Sequence, residues 1–165
     1  MLKLTNKVAV VTGAARGIGH AIASLFHWEG AHVILTDIDA QAGAAAAAQI
    51  GCRFEPLDVQ CEADWHRLAS LVPAIDILVN NAGVLSLDSI EDITVDEWDR
   101  VMDINSKGVF LGTKTAIPEM RKAGGGSIVN ISSISGIVGQ SYVSAVYNAS
   151  KGAVRIFTKS TAIQY

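Results

Sequence analysis

The stretch Val8-Ala-Val-Val-Thr-Gly-Ala-Ala-Arg-Gly-Ile-Gly19 constrains this chain more than any other. Val8 to Val11 is a short apolar run suited to a strand buried on both faces. The glycines behind it, Gly13, Gly17 and Gly19, lead directly into the helical pattern Ile18 to Trp28. Such a junction makes an anion site: glycine lets a ligand approach the main chain, while the free N–H groups and positive dipole end of the helix attract negative charge. The pyrophosphate of a dinucleotide fits there. The spacing is G-x-x-x-G-x-G rather than the general G-x-G-x-x-G, and taken alone it also suits an ordinary strand-to-helix turn.

The residues that follow narrow the reading. His32 to Thr36 forms a second apolar strand ending at Asp37, 18 residues beyond Gly19. A carboxylate there accepts hydrogen bonds from adenosine ribose hydroxyls and repels a 2′-phosphate, which favours NAD over NADP. Asp39 suits the N-cap of the next helix, Ala40 to Ile50, and so leaves Asp37 for the ribose. Arg16 is the counterweight, because a cation in the glycine loop suits a 2′-phosphate. Arg53 to Leu57 reads as a third strand, ending in Asp58-Val59 at the carboxyl edge where open α/β sheets place ligands. Asp58 serves equally well as an acceptor for the adenine amino group or as a turn cap. The helix Cys61 to Val72 carries a core stripe of Trp65, Leu68, Ala69 and Val72.

Ile75 to Val79 is a fourth strand, followed at once by Asn80-Asn81-Ala82-Gly83, whose amides satisfy neighbouring loops and whose glycine admits a flat ring. A long helix, Val95 to Met120, is interrupted at Asn105-Ser106-Lys107-Gly108, as at a kink or a functional site. The glycines 124 to 126 lead into a fifth strand, Ser127 to Ile131, which ends in Ser132-Ser133. The closing helix, Ala145 to Tyr165, puts Tyr147 and Lys151 four residues apart on one face. A free phenol titrates at about pH 10 and is a poor base at neutrality; an adjacent ammonium and an oxidised nicotinamide stabilise the phenolate. A Ser133 hydroxyl would complete an oxyanion-binding pair. Strands and helices alternate throughout, which predicts one α/β domain over residues 1–165, a doubly wound parallel sheet of order 3-2-1-4-5.

Composition excludes several other classes. The chain has 165 residues, 50% hydrophobic and 18% charged, with a net charge of -3, so it can bury a sizeable core. Its lysines and arginines are scattered, which argues against a nucleic-acid partner. No apolar run reaches membrane-spanning length, so the expectation is a cytoplasmic protein. Cys52 and Cys61 lack a C-x-x-C spacing, and His20, His27, His32 and His66 show no ligand pattern, so no metal is expected.

Taken together, Thr12-Gly-Ala-Ala-Arg-Gly-Ile-Gly19, Asn80-Asn-Ala-Gly83, Asn105, Gly126-Ser-Ile-Val-Asn-Ile-Ser-Ser133 and Tyr147-x-x-x-Lys151 closely resemble the short-chain dehydrogenase/reductase family, in the family's order over essentially the whole chain. The resemblance implies a Rossmann-like fold, NAD or less readily NADP, and hydride transfer between the cofactor and a secondary alcohol or ketone. It implies Tyr147 as acid/base, Lys151 binding the nicotinamide ribose, Ser133 holding the substrate oxygen and Asn105 supporting a water-mediated proton relay. Gly13, Arg16, Gly17, Ile18, Gly19, Asp37, Asp58, Val59, Asn80, Ala82 and Gly83, with Tyr147 and Lys151, would hold the cofactor. A homo-oligomer is implied too, a tetramer before a dimer. Two features depart from the family pattern. The Ser133 to Tyr147 loop is about one residue longer, a change surface loops accept. The sequence also ends at Tyr165, where the family usually continues with two more strands, a helix and a substrate loop. The second expectation is therefore a catalytically inactive dinucleotide-binding or interaction module, with strand five an unpaired apolar edge.

Overall fold

Parallel strands cannot be joined by tight turns, so each apolar run must be followed by a crossover, and the helical patterns between them supply it. In the computed structural model, which describes residues 2–72 and 74–165, β1 (Val8–Thr12) leads through α1 (Gly17–Trp28) to β2 (His32–Asp37), and α2 (Ala40–Ile50) leads to β3 (Arg53–Pro56). The chain crosses back through α3 (Glu62–Leu71) to β4 (Ile77–Asn80). One helical segment made of α4 (Val95–Met102), a π-helical turn (Asp103–Lys107) and α5 (Gly108–Lys122) reaches β5 (Ser127–Asn130), and α6 (Ala145–Gln164) follows. The sheet is parallel with order β3-β2-β1-β4-β5, as the alternation predicts.

Successive strand residues point to opposite faces, and both faces are covered. Ala9, Val11, Val33, Leu35 and Val79 pack with Ala23 of α1 and Ala46 and Ala47 of α2. Val10, Ile34 and Leu78 pack on the other face with Trp65 and Leu68 of α3 and Leu111, Ala116 and Met120 of α5. The low-complexity alanine run therefore has a packing role: α2 lies close to the sheet, and Gly43 receives the Phe54 ring where a Cβ would collide. Asp39 caps α2 by accepting from Ala42 N, as expected. Among the described residues no helix is long and apolar enough to cross a membrane, and β5 pairs on one side only, with Val129 42% exposed.

β4 begins two residues later than the apolar run suggests. Asp76 explains the delay, since its carboxylate accepts from Val8 N at 2.8 Å and from Lys7 Nζ at 3.0 Å and so ties β1 to the approach to β4 by side chain. Ile75 is still buried in the core. The Val8 N–H is the main cause holding the Asp76 carboxyl below the usual carboxylate range, with Lys7 adding to it. A depressed carboxyl stabilises the fold above its unfolded-state pKa and loses that contribution as pH falls through the folded value. Asp76→Asn is therefore expected to unfold at lower denaturant than the wild type at neutral pH, the gap narrowing as pH falls through the folded-state value of the carboxyl. Urea titrations across the acid range check this; a gap that stays constant with pH contradicts it.

Candidate active site

The first wall of the site is the turn after β1. Gly13 and Gly17 take φ of 61° and 60°, a left-handed backbone that other residues adopt at a cost. The N-cap of α1, Arg16, makes no side-chain capping bond, so the first-turn N–H groups of α1 stay available to an anion. Gly19 is fixed by close approach: a Cβ there would lie 2.5 Å from both Asn81 Nδ2 and Gly13 O. Asn81 Nδ2 donates to Thr12 O and Gly13 O, while Thr12 Oγ1 accepts from the N–H groups of both Asn81 and Ala82 at 3.0 Å. The glycine turn and the loop after β4 are thus one hydrogen-bonded body.

A cleft of ≈ 360 Å³ opens beside that body, lined by Gly13, Arg16, Ile18, Asp37, Asp58, Val59, Ala82 and Gly83 among others. These are eight of the sequence-predicted cofactor residues. Gly17 and Gly19 belong to its turn. Asn80 is elsewhere: 3% exposed, it donates to Asn130 Oδ1 at 2.8 Å and to Thr113 Oγ1, and Asn81 takes the place on the cleft wall. Asp37 does more than spacing suggests. Its two oxygens accept from Ala15 N and Asp39 N at 3.0 Å, pinning the glycine turn, and each keeps a lone pair for a further donor. Asp58 Oδ1 accepts from Gln60 N, so it is a turn cap that also faces the cleft.

Beyond Gly83 lies a second group. A Cβ on Gly83 would meet Asn105 Oδ1 at 3.2 Å and Lys151 Nζ at 3.4 Å, which puts both residues at the end of the cleft. Lys151 is 5% exposed, its Nζ donating to Ile131 O at 2.9 Å and lying 5.9 Å from the centre of the Tyr147 ring. Burial holds its ammonium below the usual lysine range. Ser133, in the loop after β5, accepts from Ser135 N at 3.1 Å, which leaves its hydroxyl hydrogen free to donate. Ser132 is spent on structure, donating to Lys151 O at 2.8 Å.

The expected break in the long helix is the π-helical turn, and it turns Asn105 inward, fully buried. The Asn105 amide is spent within the protein: Oδ1 accepts from Val84 N at 2.8 Å, and Nδ2 donates to Val84 O and Ser150 Oγ. Sequence reasoning missed Thr12 and Ser150, because neither sits in a pattern that marks its distant partner. Among the described residues no cluster of His, Cys, Asp and Glu is placed to hold a metal ion.

A fold of this order with its polar groups gathered at the carboxyl edge defines a nucleotide-cleft protein of the doubly wound type. The chain belongs to the short-chain dehydrogenase family, whose model matches residues 7–165. It is 44% identical over 172 residues to a cyclopentanol dehydrogenase of Comamonas testosteroni, covering 99% of this chain and 68% of that protein. It is 45% identical to an NADP-dependent (R)-specific alcohol dehydrogenase of Lentilactobacillus kefiri, covering 98% and 67%. A 3-alpha-(or 20-beta)-hydroxysteroid dehydrogenase of Mycobacterium tuberculosis is 42% identical, covering 98% and 64%. The chain thus spans about two-thirds of the length of these relatives.

Asn105→Ala removes both partners of Val84 and one of Ser150. It is expected to cost about 1–3 kcal/mol, the penalty for leaving buried polar groups unpaired, read as a lower urea midpoint. An unchanged midpoint would show that water replaces the amide.

Proposed function

We propose that this chain is an NAD-dependent dehydrogenase/reductase acting on a secondary alcohol or its ketone. The observation that carries the reading is the placing of Lys151 Nζ beside both Gly83, at the end of the cleft, and the Tyr147 ring. The residues present fit a dinucleotide: free helix N–H groups for a pyrophosphate, an acidic acceptor for a ribose at Asp37, and apolar Ile18 and Val59 for flat ring surface. When bound, the dinucleotide supplies the hydride acceptor or donor. In the oxidative direction Tyr147 Oη takes the proton of the substrate hydroxyl, Ser133 Oγ holds that oxygen, and the Lys151 ammonium beside the Tyr147 ring has donors left for a ribose. Asn105 acts by fixing Val84 at the cleft's end, from the π-helical turn, where it would support a water-mediated proton relay. Relatives named for cyclopentanol and hydroxysteroids support a secondary alcohol as substrate. The unpaired thiols Cys52 and Cys61 support a cytoplasmic setting, and exposed Phe110 and Ile156 support a homo-oligomer, tetramer or dimer.

Two measurements test this. Turnover of NAD with a panel of secondary alcohols, followed by absorbance of the reduced nicotinamide, is expected for the wild type and should fall on the order of 10²–10⁴-fold in Tyr147→Phe, which lacks the acid/base group. Dinucleotide binding without turnover by the wild type would instead support a binding module. Calorimetry should find NAD bound on the order of tenfold more tightly than NADP, the equivalent of 1.4 kcal/mol of repulsion between the Asp37 carboxylate and a 2′-phosphate. Asp37→Asn should shrink that ratio, and equal affinities in the wild type would refute the preference for NAD.

A further inference from the structure

We propose that Ser150 is a positioning residue that ties Asn105 and the π-helical turn to Tyr147. Fully buried, it uses its hydroxyl in both directions: Oγ accepts from Asn105 Nδ2 at 3.0 Å and donates to Tyr147 O at 2.8 Å. Ser106, from the same π-helical turn, donates to Ser150 O at 3.3 Å. A helical serine often bonds back to a carbonyl one turn earlier, and that bond alone positions nothing outside its own helix. The bond from Asn105 is what distinguishes Ser150. Through it a continuous path runs from Val84, at the end of the cleft, by way of the Asn105 amide and the Ser150 hydroxyl to the main chain of Tyr147.

The first turn of α6 has need of such an anchor. Tyr147 is its third residue, and the N-cap Ser144 makes no side-chain capping bond. The turn is held from outside instead, by Ser144 N donating to Ser86 O at 3.0 Å and by the Asn105–Ser150 link. The π-helical turn supplies one member of that link, since the extra residue it accommodates is what directs Asn105 at α6. Ser150 is thus set apart from Tyr147 and Lys151: it touches neither ligand nor reacting atoms and acts through the placement of Tyr147.

The kinetic arm of the test rests on the dehydrogenase reading; the spectroscopic arm does not. In Ser150→Ala, kcat is expected to fall on the order of tenfold while the KM for NAD stays within about twofold, because a displaced acid/base group slows chemistry without weakening uniform binding. Ser106→Ala, which removes the bond to the Ser150 carbonyl and a long contact to Met102 Sδ but leaves the Asn105–Ser150 link, should keep both constants. In the free chain, the NMR signals of the Tyr147 ring and the Asn105 side-chain amide should shift in Ser150→Ala and stay in place in Ser106→Ala. Ser150→Cys, of near-equal volume with weaker hydrogen bonds, should shift the same signals in the same direction and covers the case in which the alanine variant fails to fold. An unmoved Tyr147 signal, or a kcat that falls only in step with the melting temperature, overturns the proposal. A wild-type chain without turnover overturns the dehydrogenase reading, and the NMR comparison then still decides Ser150.

Discussion

Parallel pairing in register is the constraint on which the site depends. Thr12 lies opposite Thr36 and Asn80 opposite Asn130, so neighbouring strands end together along one edge. Each following segment begins at that edge: the glycine turn after β1, Asp37 at the end of β2, Asp58 after β3, Asn81 to Gly83 after β4 and the serine pair after β5. Side chains far apart in sequence therefore meet without any long loop reaching across. Asp37 Oδ2 receives Ala15 N because β1 and β2 are neighbours, and Thr12 Oγ1 receives two N–H groups because β1 also borders β4. At the opposite edge the same pairing is fastened by one side chain. Asp76 there ties β1 to the start of β4, and its main-chain carbonyl accepts from Ser127 N at the start of β5.

Most of the fold was legible because its signals are local. Apolar runs, turn glycines and helical stripes gave the five strands, the crossovers and hence the order, and Asp39 could be recognised as a cap from its place before a helix. The candidate site was legible where one segment carries a whole arrangement, as in the glycine turn or in Tyr147 and Lys151 on one helix face. It was opaque where two segments must meet. Nothing near Ser150 in the sequence names Asn105 as its donor, and nothing in Asn80-Asn81 says which amide turns into the sheet and which toward the glycines. Gly108 is a case between the two. It reads as a weak point in a helix, yet its backbone is helical, and a Cβ there would lie 2.9 Å from Val59 Cγ2. The glycine lets α5 approach the loop after β3; the irregularity beside it belongs to the π-helical turn.

Lys151 shows why the surrounding polar network has to be tight. A buried ammonium whose one hydrogen-bond partner among the described residues is Ile131 O works against stability, and an apolar side chain of similar length would fill the same space at less desolvation cost. The low dielectric that makes this charge costly also strengthens its pull on any negative charge nearby, because Coulomb energy scales inversely with both dielectric constant and distance. Distance is the variable that the protein controls. Lys151 O is held by Ser132 Oγ, and Tyr147 O by Ser150 Oγ, so each of the two residues has its main chain fastened by a serine hydroxyl in addition to the helix ladder. One serine comes from the loop after β5 and the other reaches to the π-helical turn through Asn105, which fastens α6 from two independent directions. A helix held this way keeps Lys151 and Tyr147 in a fixed relation, while Ile137 and Tyr142 in the preceding loop stay exposed.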